Sequence, residues 1–302
     1  MLARIVESYL AVRRACGFEL KTQEHFLRSF ASYSDARGKH YVCSEVAIEW
    51  AGLVPSVHQR ARRLGHVIRL ARYARVEDQS HELPPAVFGS ENRPRPTPYI
   101  FSQNNIQRLV QAASELGCRS FRRKTYSTLF ALLACTGMRV SEAIRLQFED
   151  ITPDGLVVRR TKFRKSRLVP LHETARVGLE CYLEHRRPYA LFDDHVFVSL
   201  RRKPLLFADV GTAFRSAIDK IGLQCVLGQP RPTPHSLRHT FTVRALETCS
   251  YDRDHITKHM LALSTYLGHS KVSATYWYLE ATPDLMKSIA ERFANFVKGG
   301  QS

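Results

Sequence analysis

The stretch Pro234-His235-Ser236-Leu237-Arg238-His239 determines how the rest of the chain is interpreted. Proline at the first position of a segment is typical of a helix start. Within a helix, His235, Arg238 and His239 stand at positions i, i+3 and i+4, so their side chains share one face. The first turn of a helix also points free backbone N–H groups outward. This helix start is therefore predicted to hold an anion, most naturally a phosphate.

Two later segments add groups that chemistry on a phosphate would need. Leu267-Gly268-His269-Ser270 contributes another histidine, and Thr275-Tyr276-Trp277-Tyr278 contributes two phenols. A phenol oxygen that attacks a phosphodiester keeps the phosphate as a covalent intermediate. The three segments together indicate an enzyme that breaks a phosphodiester and holds the product on a tyrosine.

Composition favours a polyanionic partner. The 302 residues carry a formal net charge of +17, and the pI is about 9.9. Nucleic acid is a better candidate than an acidic membrane, because no Lys-rich amphipathic tail or lipidation signal is present. The seven cysteines are scattered without metal-ligand spacing, which favours small apolar side chains in a reducing compartment. Neither a signal peptide nor a long apolar run is evident, so we expect a soluble, cytoplasmic protein.

Residues 1–90 are predicted to form a small all-α unit of about four helices. The last of these helices has an apolar seam formed by Val57, Ala61, Leu64, Ile68 and Ala71. Its other faces carry Arg60, Arg62, Arg63, Arg69, Arg72 and Arg75. With few acidic residues between them, these arginines favour a helix that lies along a DNA backbone. A solvated basic face is the alternative.

A proline-rich basic linker over residues 91–98 separates this unit from a block at 99–302. Alternating prolines enforce extended backbone, so this is the best domain boundary in the sequence. The second block is predicted to be mainly helical, with a β-hairpin over 156–171 whose tip is strongly basic. A lysine at such a tip can reach a scissile phosphate, although lysines on edge strands also prevent aggregation. A final helix over 283–297 has an apolar stripe that could dock on a neighbouring copy.

A corner between two helices presents one further cation. An apolar helix over 126–135 ends at Thr136-Gly137, where glycine suits a left-handed helix terminus. Arg139 follows directly, and Val140-Ser141-Glu142-Ala143 starts the next helix. An arginine at such a corner is held in position rather than freely solvated.

These motifs, in this order, resemble the tyrosine recombinase (phage integrase) family. The resemblance is carried by Thr136-Gly137-Met138-Arg139-Val140-Ser141-Glu142, the lysine hairpin, His235-Ser236-Leu237-Arg238-His239, Leu267-Gly268-His269-Ser270 and Tyr278. It implies a mainly α fold with a small β-sheet: an N-terminal all-α, SAM-like core-binding domain and a C-terminal mixed α+β catalytic domain. The implied activity is site-specific DNA cleavage and rejoining through a 3′-phosphotyrosyl intermediate, in a mobile-element or Xer-like recombinase.

The resemblance also implies a set of catalytic residues. They are Arg139 and Arg238 as the cations on the scissile phosphate, Lys162 as general acid, His235 as proton acceptor, His269 as the third-box histidine and Tyr278 as nucleophile. Lys165 is the alternative to Lys162, and spacing alone leaves Tyr276 open as the nucleophile. Glu142 corresponds to a supporting acid, whereas His239 is interpreted as structural. Residues 249–262 look like an insertion relative to compact members.

The implied partners are double-stranded DNA with specific recombination sites and a homo- or heterotetramer of recombinase subunits. No cofactor or metal is expected, because the phosphotyrosyl bond conserves the energy of the broken linkage. The sequence contains no phosphate-binding loop and no paired-carboxylate cluster. Three alternatives stay open at this point: a type IB topoisomerase-like relaxing enzyme, a non-catalytic DNA-binding protein, and a ribonuclease that uses two histidines as acid and base.

Overall fold

The chain forms two compact units, Met1–Arg95 and Pro96–Ser302. The structure is a computed structural model, and it describes residues 1–89, 97–159, 166–188, 193–223, 230–248, 253–269 and 272–281. Within these ranges the chain is mainly helical and has one small sheet, as the sequence predicts.

Residues 1–89 contain four helices around one apolar core. Their bounds are α1 Leu2–Ala15, α2 Lys21–Asp35, α3 Ser44–Gly52 and α4 Val57–Ala74. Phe30 of α2 and Trp50 of α3 lie edge to face with ring centroids 5.5 Å apart, and both are fully buried. Ser56 caps α4 by accepting a hydrogen bond from the backbone of Gln59. Aromatic burial of this kind supplies much of the stability of a small helical unit.

The buried seam of α4 differs in part from the predicted one. Val57, at the first position of the helix, is 60% exposed, whereas Val67 and Leu70 are fully buried. Ile68 is half-buried. Positions 67 and 68 are both apolar, and spacing alone could not decide which of them faces the core.

Some arginines of α4 have structural partners inside the unit. The Nε of Arg60 donates to the carbonyl of Val54 at 2.6 Å, and the guanidinium of Arg63 lies 3.9 Å above the Trp50 ring. These contacts take both groups away from a continuous basic face. The exposed members of the set are Arg62 and Arg72.

The second unit packs its helices around α6. Its helices are α5 Gln103–Ala113, α6 Ser120–Thr136, α7 Val140–Ala143, α8 Glu173–Arg186, α9 Phe207–Lys220, α10 Pro234–Glu247, α11 Arg253–Leu267 and α12 Ser273–Ala281. Leu129, Phe130 and Leu133 of α6 are buried in the core of this unit. A second apolar cluster joins α10, α11 and α12, and it includes Val243, Met260 and Tyr278.

A three-stranded antiparallel sheet lies between α7 and α8 in the sequence. Its strands, in spatial order, are β1 Ile151–Thr152, β2 Gly155–Val158 and β3 Arg167–Val169. Leu156 pairs with Val169, and Val158 pairs with Arg167, which confirms the predicted hairpin. The tip of the hairpin, residues 160–165, lies outside the described residues, and with it Lys162 and Lys165.

Two other predicted features fall partly or wholly outside the described ranges. The helix predicted over 283–297 lies outside them. Of the segment 249–262, residues 253–262 belong to the regular helix α11, where Met260 is buried against α10 and α12. Across the described residues, no helix combines the length and apolar character that a bilayer crossing requires.

Gly137 has the predicted left-handed conformation at the end of α6, with φ of +61°. A Cβ atom added there would lie 2.5 Å from Cδ1 of Phe241 in α10. A side chain at this position would therefore meet both backbone strain and a packed ring. The turn that leads to Arg139 depends on the absence of a side chain.

We predict that Gly137→Ala lowers the free energy of unfolding by about 2 kcal/mol or more, because strain and overpacking add. Gly178 is the matched control, since it lies inside α8 with nothing within 4 Å of an added Cβ. Gly178→Ala should stabilise the protein by up to ~1 kcal/mol, as expected inside a helix. Urea denaturation of both variants measures the two effects. Equal stability of Gly137→Ala and wild type would contradict this account of the corner.

Candidate active site

Helix α10 begins as the sequence predicts, with Pro234 as its first residue and Thr233 as its N-cap. A capping box closes the turn, in which the Ser236 hydroxyl accepts from Thr233 N at 3.0 Å. In addition, Ser236 N donates to the Thr233 carbonyl at 2.8 Å. The Ser236 N–H is therefore already engaged at this helix start. The side chains of His235 and Arg238 are the further candidates for binding an anion there.

Arg238 is buried in the site and is only 1% exposed. Its Nη1 donates to the carbonyl of Gly137 at 2.8 Å, and its Nη2 donates to the carbonyl of Leu267 at 2.7 Å. These bonds tie α10 to the end of α6 and to the end of α11. They use two of the five N–H donors of the guanidinium.

The charge on Arg238 is expensive to keep buried. Burial, followed by repulsion from Arg139, lowers the pKa of Arg238 from its ordinary 12.5 to about 10. A shift of that size means that the protein environment disfavours the charged form by about 3 kcal/mol relative to water. The group remains protonated at neutral pH. A bound anion would stabilise the charged guanidinium and so offset the unfavourable effect of burial.

Arg139 reaches the same turn. Its Nη2 donates to the carbonyl of Gly268 at 3.2 Å, and its Nη1 donates to Oε1 of Glu142 at 2.7 Å. Glu142 is also bridged by both Nη atoms of Arg167, at 3.1 and 2.8 Å. Arg167 in turn donates from Nε to the carbonyl of Tyr266 at 2.6 Å. One buried carboxylate thus joins the corner arginine to the first residue of β3, at the end of the strand next to the hairpin tip.

The Glu142 carboxylate is charged throughout the ordinary pH range. Burial by itself would raise the pKa of Glu142, but the hydrogen bonds and charge of Arg167, together with those of Arg139, outweigh it. The resulting pKa is about 2, compared with an ordinary value of 4.5. A buried carboxylate between two guanidinium groups orients both of them.

Tyr278 is 3% exposed, and its ring lies in the apolar cluster of α10, α11 and α12. Its hydroxyl is 2.8 Å from Nδ1 of His239. The ring of His239 also lies edge to face with that of His235, with centroids 4.6 Å apart. The phenol is therefore joined to α10 by the second histidine of the motif. The sequence interpretation had treated His239 as structural.

His269 lies on the other side of the phenol. Its ring is nearly parallel to that of Tyr278, with centroids 6.5 Å apart and 9° between the planes. Its Nδ1 is 2.8 Å from the hydroxyl of Thr275 in α12. Tyr276, the alternative nucleophile, is 47% exposed. Of the two phenols, Tyr278 is the one in contact with both histidines His239 and His269.

His235 is exposed on the first turn of α10. Desolvation by the surrounding protein atoms, followed by repulsion from Arg238 and Arg139, lowers the pKa of His235 to about 4. The imidazole is therefore neutral at pH 7. A neutral ring next to two cations can donate a hydrogen bond to a phosphate oxygen without adding a third positive charge.

The structure brings five of the six predicted site residues to one place in one chain. They are Arg139, His235, Arg238, His269 and Tyr278. Lys162 lies outside the described residues. Arg167 and His239 also belong to the site and were not proposed as site residues from the sequence. Among the described residues, no group of three or more His, Cys, Asp or Glu side chains could hold a metal ion.

Comparison with known proteins identifies the family. Residues 100–284 match the model of the phage integrase family. The chain is 36% identical over 300 residues to a candidate integrase/recombinase of Sinorhizobium fredii, y4rB, and the match covers 95% of each protein. It is 30% identical over 234 residues to the tyrosine recombinase XerD of Vibrio vulnificus, covering 76% of this chain and 72% of XerD.

Solved structures share the fold at lower identity. The post-cleavage complex of XerH with its difH substrate matches with a TM-score of 0.66 and 17% identity, over 89% of this chain and 77% of XerH. A lambda integrase tetramer bound to a Holliday junction matches with a TM-score of 0.61 and 18% identity, and the match covers 89% of this chain and 77% of the integrase chain. Taken with the sequence matches, these findings show that the chain belongs to the phage integrase family of tyrosine recombinases, the site-specific DNA recombinases.

Proposed function

We propose that this chain cleaves and rejoins DNA at specific sites with Tyr278 as the nucleophile. The proposal rests above all on one observation: Arg139 and Arg238 both end at the carbonyls of the 267–268 turn, beside the phenol-bearing helix α12. Two cations and a tyrosine in one site suit attack of the phenol on a phosphodiester.

Arg139, Arg238 and His235 together form the proposed phosphate site. In the transition state negative charge increases on the non-bridging oxygens, so cations fixed in advance lower the barrier. Arginine suits this role because its fork donates to two oxygens and stays protonated. His235, neutral and exposed between them, donates to a phosphate oxygen in the same site. His269, stacked on Tyr278, keeps the phenol ring facing this site.

Access to the buried phenol requires a local rearrangement when DNA binds. Both Arg238 and Tyr278 are almost completely buried, at 1% and 3% exposure, whereas Arg139 and His235 are more accessible. A DNA backbone that first meets the accessible pair reaches the phenol only after the residues that cover it move. Coupling of DNA binding to this movement would keep the nucleophile covered in the free protein.

Lys162 completes the proposed reaction. The hairpin that carries it is held next to its tip by Arg167, the first residue of β3, which bonds to Glu142. A lysine at the tip would give a proton to the 5′ oxygen as that oxygen leaves phosphorus. The products are a 3′-phosphotyrosyl bond and a free 5′ hydroxyl. The reverse attack by a 5′ hydroxyl rejoins the strand.

Residues 1–90 are proposed to be the SAM-like core-binding domain, with 91–98 as linker and 99–302 as the catalytic domain. Arg62 and Arg72 of α4, both exposed, are candidates for contacts to DNA phosphates. Exchange between two duplexes cuts four strands, so four active sites are required. We therefore propose a tetramer on DNA, with copies of this chain or related recombinase subunits, in the cytoplasm.

We predict that Tyr278→Phe abolishes covalent protein–DNA adducts, because the attacking oxygen is absent. The substrate is a set of nicked duplexes carrying a binding site selected from a random pool. Adducts are counted on denaturing gels, and binding is measured by gel shift. Tyr276→Phe is the matched control and should form adducts at the wild-type rate. Adducts with Tyr278→Phe would disprove the assignment, as would their loss with Tyr276→Phe alone.

We predict that Glu142→Gln slows adduct formation at least tenfold, because Arg139 and Arg167 lose the shared carboxylate that orients them. It should also change the dependence of stability on pH. The pKa of Glu142 is about 2 in the folded protein and 4.5 ordinarily, so its stabilising effect is present above pH 4.5 and is lost as the pH falls towards 2.

Urea denaturation between pH 7 and pH 3 tests this linkage. By pH 3 wild type should lose about 2 kcal/mol through this group. Glu142→Gln should be less stable at pH 7 and show a shallower loss on acidification. Parallel pH profiles for the two proteins would contradict the role given to this carboxylate.

A further inference from the structure

We propose that His239 is a catalytic residue: its Nδ1 accepts the phenol proton of Tyr278 as the Tyr278 oxygen attacks phosphorus. This inference rests on the proposed function, because it takes Tyr278 as the nucleophile. It assigns the proton transfer to His239, which directly follows Arg238, in place of His235.

The geometry is that of a nucleophile with its base. The Tyr278 hydroxyl lies 2.8 Å from Nδ1 of His239, within ordinary hydrogen-bond reach. For the phenol to donate, the proton of the neutral imidazole must be on Nε2. His239 is half-buried on α10, and its ring is packed against those of His235 and Trp277, with centroids 4.6 and 5.7 Å away. These contacts hold the ring at one angle to the phenol.

His235 is better placed for a different task. It stands one helical turn before His239, at the exposed start of α10. Its low pKa, caused by desolvation and then by Arg238 and Arg139, makes it a weak proton acceptor. A neutral imidazole beside two phosphate-binding arginines is suited to donate a hydrogen bond to a phosphate oxygen. We therefore assign His235 to the phosphate and His239 to the nucleophile.

The proton balance is complete in both directions. During cleavage the Tyr278 oxygen bonds to phosphorus, its proton passes to Nδ1 of His239, and the bond from phosphorus to the 5′ oxygen breaks. The leaving 5′ oxygen takes its proton from Lys162. During rejoining, a 5′ hydroxyl attacks phosphorus and gives its proton to the neutral amine of Lys162, and the protonated His239 returns its proton to the departing Tyr278 oxygen. No oxidant, metal or further reactant is needed.

The test compares single-turnover rates of adduct formation on the nicked duplexes. His239→Asn keeps a hydrogen-bonding amide near the position of Nδ1 but cannot accept a proton. We expect it to react about 10²- to 10⁴-fold more slowly than wild type, the usual contribution of a positioned base. DNA binding should stay within about twofold of wild type. His185→Asn, an exposed histidine on α8, is the control and should react at the wild-type rate.

A second substrate separates the two sides of the reaction. A duplex with sulfur in place of the scissile 5′ oxygen has a leaving group that needs no proton. The defect of His239→Asn should persist on this substrate, because the phenol must still lose its proton. Full recovery of the rate would assign His239 to the leaving group and overturn the proposal.

Two other results would also overturn it. A rate for His239→Asn within threefold of wild type would show that the phenol needs no proton acceptor here. A faster rate would show that the hydrogen bond restrains the nucleophile. His239→Gln is the second variant if Asn unfolds, and single-turnover rates are independent of the folded fraction. Either failure leaves Tyr278 as the nucleophile, whereas adducts formed by Tyr278→Phe would remove the basis of the whole proposal.

Discussion

Two guanidinium groups of like charge lie at one turn of the chain, and the site depends on the acceptors that hold them there. Arg238 is fixed by the carbonyls of Gly137 and Leu267, and Arg139 by the carbonyl of Gly268 and the carboxylate of Glu142. These acceptors offset the repulsion and the loss of hydration that both cations meet. A site assembled at this cost is complementary to a further anion, which is the phosphate of the proposed substrate.

The fold supplies those acceptors from segments far apart in sequence. Gly137 ends α6, and its left-handed conformation turns the chain so that one carbonyl meets Arg238 and the next helix starts at Arg139. The end of α11 supplies the other carbonyls. Arg167, the first residue of β3, joins the hairpin to this turn through its bonds to Tyr266 and Glu142. Movement of any one of these segments would therefore change the positions of both cations.

Much of this arrangement could be predicted from the sequence because it depends on local chemistry. The start of α10 at Pro234, the left-handed Gly137 and the hairpin between β2 and β3 each follow from residue preferences over a few positions. The resemblance to a family then indicated which cations converge. Spacing alone left Tyr276 and Tyr278 both open, and their burial distinguishes them, at 47% and 3% exposure.

Other features depend on tertiary contacts that spacing does not encode. His239 and Tyr278 are 39 residues apart, and their hydrogen bond depends on how α12 packs on α10. The sequence places Arg167 among several basic residues of the hairpin, and only the tertiary fold brings it onto Glu142. In α4, spacing likewise could not distinguish positions 67 and 68, because both are apolar. Packing places Val67 in the core and leaves Ile68 half-buried.

The central claim is that buried positive charge stabilises a phosphate in this site, and a neutral substrate tests it most directly. A methylphosphonate at the scissile position removes one negative charge and changes the shape of the group little. We compare cleavage of the phosphodiester and the methylphosphonate by wild type and Arg238→Ala, so that any folding defect cancels within each protein. The account predicts a loss of at least 10²-fold on the phosphodiester and a much smaller loss on the methylphosphonate. Equal losses on the two substrates would contradict it.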